Sequence, residues 1–299
     1  MNPFEDNVLV IDNSRLEPFT TCPRLAQYRV VRKRTLSRSH SSLEFGKALH
    51  KAMEVRYTHP DINDPSDELF TRQVEVLQKD FEKIILEPDD FRTLDRAIDI
   101  VQKYNSYYRI EPFVVATKDG KPYVELSFAI PLGEVDGIKI IWTGRIDLVI
   151  QDDKGFFVMD HKTTSMLGAT YFQDFLISQQ MIGYVFSARI LTGLPIQGVV
   201  INALVSRKPT KTGTAVEFSR EKIYFTEEHI EEWRTDVLHI AADFIRNVKR
   251  DYFPKHTKWC MGKYGKCEFH EVCTLPPTQR EILLTSDLYK DDVWSPLDN

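Results

Sequence analysis

Three adjoining stretches, IKIIWTGRIDLVI (Ile138–Ile150), QDDK (Gln151–Lys154) and GFFVMDHKT (Gly155–Thr163), decide how this chain is read. The first and third are rich in β-branched and aromatic residues, and the second has turn composition, so together they predict a β-hairpin. Side chains alternate along a strand, which puts Asp160 and Lys162 on one side with the His161 carbonyl between them. If the strand carrying Asp147 pairs across the turn, two carboxylates and an amine converge at one sheet edge. Such a group suits a divalent cation and an attacked phosphate: hard oxygens hold the ion, and an ammonium orients water or balances developing charge.

The Asp-x-Lys pattern alone says little, because it occurs three times, at Asp119/Lys121, Asp152/Lys154 and Asp160/Lys162. The first two lie in glycine-containing turns, where both residue types are ordinary surface chemistry. The third ends the apolar run Phe156-Phe157-Val158-Met159, a costly place for charge unless it is used. A strand-end ion pair is the plainer alternative.

Working outward, Tyr123–Ile130 reads as a further strand before the hairpin. After it come a helix from Ala169 to Leu191, strands at Gln197–Ser206 and Ala215–Phe225, and a helix from Glu227 to Val248. On the N-terminal side, a helix capped by Ser14 runs to about Arg34 with a break at Cys22-Pro23. Helical spacing continues at Leu43–Tyr57, Glu68–Leu86 and Phe91–Tyr108. The pattern predicts an α/β fold: a central mixed sheet flanked by helices, in a single domain over 1–277. Residues 57–115 form a helical insertion, and 278–299 a loosely ordered tail.

The 299 residues carry 39 Lys and Arg against 44 Asp and Glu, a net charge of −5, and are 42% hydrophobic. That balance excludes a disordered chain. No apolar run nears the roughly 18 residues that span a bilayer, so no membrane partner is expected. Acids in the first residues argue against a secretion signal, and the expected location is the cytoplasm, in a host cell if the chain is phage-encoded. Charge is uneven, with Arg24–Arg38 holding six bases and no acid, and Arg246–Lys266 seven bases against Asp251. These two stretches are candidates for a phosphodiester track, with Tyr28, Tyr252, Phe253, Trp259 and Tyr264 available to stack on unpaired bases or to pack internally.

The order Gly46-Lys47-Ala48-Leu49-His50, Glu125, Gly144-Arg145-Ile146-Asp147, Asp160-His161-Lys162 and Gln180-Met181-Ile182-Gly183-Tyr184 resembles the PD-(D/E)XK nuclease superfamily, and in particular its RecB-like branch. The resemblance spans about Ser14 to Cys273 and implies a restriction-endonuclease-like core. It implies that His50, Asp147, Asp160 and the His161 carbonyl hold Mg²⁺ or Mn²⁺, that Lys162 is the catalytic lysine, and that Gln180 and Tyr184 reach the substrate or the lysine from one helical face. Glu125 is a further acidic candidate.

One cysteine stands alone, Cys22, and three cluster near the end, Cys260, Cys267 and Cys273. In a cytosolic chain this grouping reads as metal ligation. The layout is similar to the iron-sulfur staple of AddB-type nucleases and CRISPR-associated exonucleases, which implies a 4Fe-4S cluster joining the N- and C-terminal regions. Zinc is the rival occupant, with His256 and His270 as further ligands. The implied function is a metal-dependent DNA exonuclease acting on ends, single-stranded or free. Because the chain holds no GxxxxGK[ST] motif, its motor partner would be a separate helicase, recombinase or CRISPR adaptation protein. The alternative is an inactive nucleic-acid-binding or assembly protein that keeps the fold and cluster.

Overall fold

A computed structural model describes residues 3–38, 41–63, 66–209, 215–262 and 265–294. In chain order the main elements are β1 (Val8–Ile11), α1 (Asn13–Thr21), α2 (Ser41–Tyr57), α3 (Asp67–Phe81), α4 (Leu94–Tyr107), β2 (Val124–Val135), β3 (Ile138–Asp152), β4 (Gly155–Thr164), α5 (Gln179–Thr192), β5 (Ile196–Ser206), β6 (Val216–Tyr224) and α6 (Glu227–Lys249). Capping sets several of these ends. The Asp12 carboxylate, rather than Ser14, takes the Arg15 N–H at the start of α1, and the Ser14 hydroxyl donates to that same carboxylate. Helix α1 stops where Cys22 turns extended and Pro23 opens a new turn. The helix expected from Ala169 begins only at Gln179, because Ser178 caps it by accepting the Met181 N–H; Tyr171–Phe175 forms a separate 3₁₀ turn.

The chain forms two compact units. The first comprises 39–126 and 145–230, the second 1–38, 127–144 and 231–299. In the first, the latter part of β3 pairs antiparallel with β4, from Leu148 opposite Met159 to Asp152 opposite Gly155. β4 runs parallel to β5, and β5 antiparallel to β6, so the sheet is mixed. One face carries Leu148, Phe157, Met159 and Val200, which pack into a core with Met53, Leu77, Ile100 and Tyr104 from α2, α3 and α4. Helix α5 lies along β4 and β5, with Met181, Val185 and Ala188 buried. The α/β class with a mixed sheet flanked by helices is therefore as the sequence predicts.

In the second unit β1 runs parallel to the early part of β3, with Val8 beside Lys139 and Ile11 beside Trp142. Trp142 packs edge-on against Trp233 of α6. A separate cluster gathers Tyr28, Phe269, Val272, Leu284 and Tyr289, with Cys267 and Cys273 half-buried against it.

Two expectations about this unit are corrected. The tail is not loose over its described part: Arg280–Leu284 is helical and Tyr289–Asp291 pairs antiparallel with Arg34–Leu36, because Leu284 and Tyr289 are buried. Residues 295–299 lie outside the described residues. The first basic run is also not an open cationic track, because residues near the C-terminal end supply its counter-charges: Arg29 pairs with Glu268, Arg32 with Glu281 and Arg34 with Asp291, while Arg24 donates to the Phe253 carbonyl. In the second run Arg246, Lys249 and Lys266 likewise face Asp243, Asp136 and Glu271. Of the candidate stacking rings, Tyr28 and Phe253 are buried and Tyr252 and Trp259 exposed. Lys263 and Tyr264 lie outside the described residues. Among the described residues no helix is long and apolar enough to cross a membrane.

Gly198 on β5 marks the tightest approach in the sheet, since a Cβ there would stand 1.9 Å from the Ile223 carbonyl oxygen of β6. Nothing but backbone movement relieves such a clash. Gly198→Ala is therefore expected to lower unfolding free energy by about 1–3 kcal/mol or more, read as a reduced urea midpoint. An unchanged midpoint would show that the strands are not so close.

Candidate active site

The β3–β4 ladder stops at Leu148 and Met159, and the candidate residues stand one step beyond it. There the Asp147 carboxylate takes the place of a backbone acceptor: Asp147 Oδ2 receives the His161 N–H at 2.7 Å. The two carboxylates feel each other's charge, so Asp147 and Asp160 are close neighbours, and both are nearly sealed from water. His50 comes from α2, its Nδ1 3.3 Å from Asp147 Oδ2. Gly46 lets that helix approach, because a Cβ there would meet Thr163 Oγ1 on β4 at 3.0 Å.

Lys162 lies 2.7 Å from Asp160 Oδ2 and donates to Gln180 Oε1 at 3.1 Å. Gln180 in turn donates from Nε2 to the Tyr184 hydroxyl at 3.0 Å. The structure thus brings His50, Asp147, Asp160, Lys162, Gln180 and Tyr184 together. The His161 ring turns to the other face of β4, stacking on Tyr57 at 5.5 Å between centroids.

Burial and neighbours separate the two aspartates. Burial alone would raise Asp147, but His50 and the His161 N–H outweigh it and hold its pKa well below the usual carboxylate range. Burial raises Asp160, and the charge of Asp147 adds to the rise against the opposing pull of Lys162. Asp160 Oδ2 is buried and meets only the Lys162 ammonium, at 2.7 Å. Such an oxygen fits a cation ligand. Burial opposes the charged form of His50, yet Asp147 and Asp160 prevail and its pKa is raised. His161 is pushed down to about 3 by burial.

Glu125 joins the group from β2. It pairs with Arg145 at 2.6 Å, and burial, then the nearby Asp147 charge, push its pKa up to about 7. Its φ of 52° lies in the left-handed region that few side chains adopt, a strain of about 1–3 kcal/mol. Glu54, one helical turn after His50, adds its charge to this patch and carries no motif that sequence reading could have flagged.

The four cysteines all fall in the second unit and form no disulfide. Cys267 feels the charge of Cys273 and Cys260, and Cys273 that of Cys22; burial raises both thiols first, and these neighbours raise them further. The Cys22 sulfur accepts the His256 N–H at 3.3 Å, and the Cys267 N–H bonds the Cys260 carbonyl at 3.0 Å. One expectation is not met: among the described residues no three His, Cys, Asp or Glu side chains stand at the spacing of a metal ion's ligands. In the aspartate group the side chains contact each other instead, as the His50–Asp147 and Lys162–Asp160 pairs show.

Comparison with known proteins then gives the family, since the sequence model of the PD-(D/E)XK nuclease superfamily matches residues 13–274. The chain belongs to that superfamily. A PD-(D/E)XK assignment accords with a mixed sheet bearing Asp160 and Lys162 at the end of a hairpin. Among solved structures, the chain is similar to a protein from Eubacterium rectale described as a putative exonuclease, with 13% identity, a TM-score of 0.51 and 89% of each chain covered. At that identity the likeness is one of fold. A weaker match is to SSO0001, at 10% identity and a TM-score of 0.30, over 69% of this chain and 85% of that one. No curated protein sequence matches.

The raised pKa of Glu125 has a thermodynamic sign. A carboxyl bound more tightly to its proton in the folded state lowers stability as pH rises, from its unfolded value near 4.5 up to about 7. Without added metal, the Tm of Glu125→Gln relative to wild type is expected to rise between pH 5 and 8 and then level off. A difference that stays flat across that window would place Glu125 in water.

Proposed function

We propose that this PD-(D/E)XK protein is a Mg²⁺- or Mn²⁺-dependent deoxyribonuclease of the RecB-like kind, acting as an exonuclease at DNA ends. The observation that supports it best is the convergence of two buried, electrostatically split aspartates on a lysine held by Gln180 and Tyr184.

His50, Asp147, Asp160 and the His161 carbonyl are the residues that would hold the ion, and the buried Asp160 oxygen that meets only the Lys162 ammonium fits that role. A bound divalent ion supplies a more acidic water and neutralises charge on the phosphate. Asp147 enters already ionised and fixed in orientation by the His161 N–H. Burial and the Asp147 charge raise the Asp160 pKa against the pull of Lys162, so a cation held there would favour its ionised form. Two N–H groups of Lys162 face Asp160 and Gln180, and the third is the donor for a water or a non-bridging phosphate oxygen. In-line attack at phosphorus then leaves a 5′-phosphate and a 3′-hydroxyl, as the family resemblance implies.

The same reading gives the cysteines a 4Fe-4S cluster. What supports it is the cysteine layout and the electrostatic contact of Cys267 with Cys260 and Cys273 and of Cys273 with Cys22, although among the described residues the thiols do not stand at cluster-ligand spacing. Work on DNA ends would fall to partnership with a separate helicase, recombinase or CRISPR adaptation protein.

With Mn²⁺ and end-labelled DNA, wild type is expected to release label. Asp160→Ala, Asp147→Ala and Lys162→Ala are each expected to cut cleavage by about 10²-fold or more while DNA is still retained. Equal degradation by all three variants would remove the assignment, and retention without cutting by wild type would leave an assembly protein. For the cysteines, anaerobically purified protein is expected to be brown with broad visible absorption that is lost in Cys267→Ser. A colourless preparation holding one zinc per chain would replace iron with zinc.

A further inference from the structure

Behind the His161 ring lies a buried polar network that no part of the proposed chemistry uses. At its centre Arg220 of β6 grips Glu111 with two bonds, Nη1 to Oε2 at 2.5 Å and Nη2 to Oε1 at 3.0 Å. Arg220 Nη2 also reaches the Tyr104 hydroxyl at 2.7 Å and the Tyr57 hydroxyl at 3.1 Å, and Nε reaches Asn202 Oδ1 at 3.1 Å. Asn202 Nδ2 lies 2.8 Å from the Tyr104 hydroxyl and 2.7 Å from His161 Nδ1. The two tyrosine hydroxyls are 2.7 Å apart, and Tyr57 donates to Glu111 Oε1 at 2.8 Å. Asn202 is wholly buried, and Glu111 and His161 nearly so.

Donor and acceptor rules leave this network one solution. A guanidinium only donates, so the Asn202 carbonyl oxygen must face Arg220, and its amide hydrogens must face Tyr104 and His161. Tyr104 then accepts from Arg220 and from Asn202, so its own proton goes to Tyr57, whose proton goes to Glu111. His161 Nδ1 can only accept, so the ring proton sits on Nε2. The bonds run outward from the Arg220 guanidinium and end on the Glu111 carboxylate, which Arg56 Nη2 also approaches at 3.5 Å, and on His161 Nδ1.

We propose that the Arg220–Glu111 pair, acting through Asn202, is a positioning device for the nuclease site: it fixes the tautomer and rotation of His161 and thereby locks the peptide that separates Asp160 from Lys162 and holds Asp147. His161 is clamped on three sides, by the Asn202 amide, by the stacked Tyr57 ring and by the edge of His50 at 5.8 Å. Its backbone N–H is the donor to Asp147 Oδ2, so any rocking of the ring passes to that carboxylate. Partners that orient a metal-ligating group from behind typically change metal affinity or activity by about 10- to 100-fold when removed. The functional consequence rests on the nuclease reading, but the bond sense does not.

The test uses full-length protein labelled with ¹⁵N-histidine, first without metal or DNA. Wild type is expected to show His161 only as the Nε2–H tautomer, assigned by its loss in His161→Gln. Asn202→Asp keeps size and still accepts from Arg220, but presents an oxygen to His161, so the ring is expected to switch to Nδ1–H. Asn202→Ala removes the link and should give a mixture. In cleavage assays Asn202→Ala is expected to raise the half-activating Mn²⁺ concentration about 10- to 100-fold with little change in KM for DNA, provided circular dichroism shows it folded. Arg220→Lys, which keeps the charge but not the fork, serves if Asn202→Ala unfolds, and the same mixture is expected. An Nδ1–H tautomer in wild type, or an Asn202→Asp protein that keeps Nε2–H, overturns the proposal. So does an unaltered Mn²⁺ requirement in an active, folded Asn202→Ala. Absence of cleavage in wild type with the tautomers as expected would overturn the nuclease reading alone.

Discussion

The arrangement turns on a single hydrogen bond, from the His161 backbone N–H to Asp147 Oδ2. A strand amide would ordinarily find a carbonyl on its neighbour, yet here a side chain takes it at the point where the β3–β4 ladder ends. That exchange satisfies a buried donor and solvates a buried carboxylate at once. It also ties the acid of one strand to the backbone of the other, so the pair cannot drift apart without stranding two polar groups away from water. His50, Asp160 and Lys162 are arranged around this fixed point.

Two like charges in a poorly hydrated corner are a standing penalty, and the fold distributes it unequally. Asp147 receives the donors and stays ionised, whereas Asp160 receives burial and one ammonium and holds its proton more firmly. Such splitting is how neighbouring carboxylates take different roles in one site. Glu125, strained in φ and raised to about 7, extends the same penalty across the patch. Any cation settling there would relieve several unfavourable terms together, so ligand binding and folding stability are linked through these groups.

Much of this was legible in the residues. Period-two patterning over 138–162 gave the hairpin, and alternation put Asp160 and Lys162 on one side with His161 on the other. The i, i+4 spacing of Gln180 and Tyr184 became a hydrogen-bonded relay to Lys162. The boundary of α5 was missed, because apolar residues at 171–175 continue a helical rhythm that the Ser178 cap interrupts. The basic run at 24–38 misled, because charge along a sequence does not show that Glu268, Glu281 and Asp291 return to meet it from more than two hundred residues away. Arg220, Glu111, Asn202, Tyr57 and Tyr104 left no signal at all. They come from five separate segments, and only folding reveals that their donors and acceptors match.

The pairing of Arg34–Leu36 with Tyr289–Asp291 has a consequence for how the chain is made. The unit holding the aspartates has all its residues once synthesis passes Ile230, but the other must wait for its final strand. At translation rates of about 5–20 residues per second, that interval is roughly 3–12 s. During it Cys22 and its surrounding arginines have emerged without the tail acids and thiols that later face them. Synthesis therefore completes the aspartate-bearing half while the cysteine-bearing half still waits for its last strand.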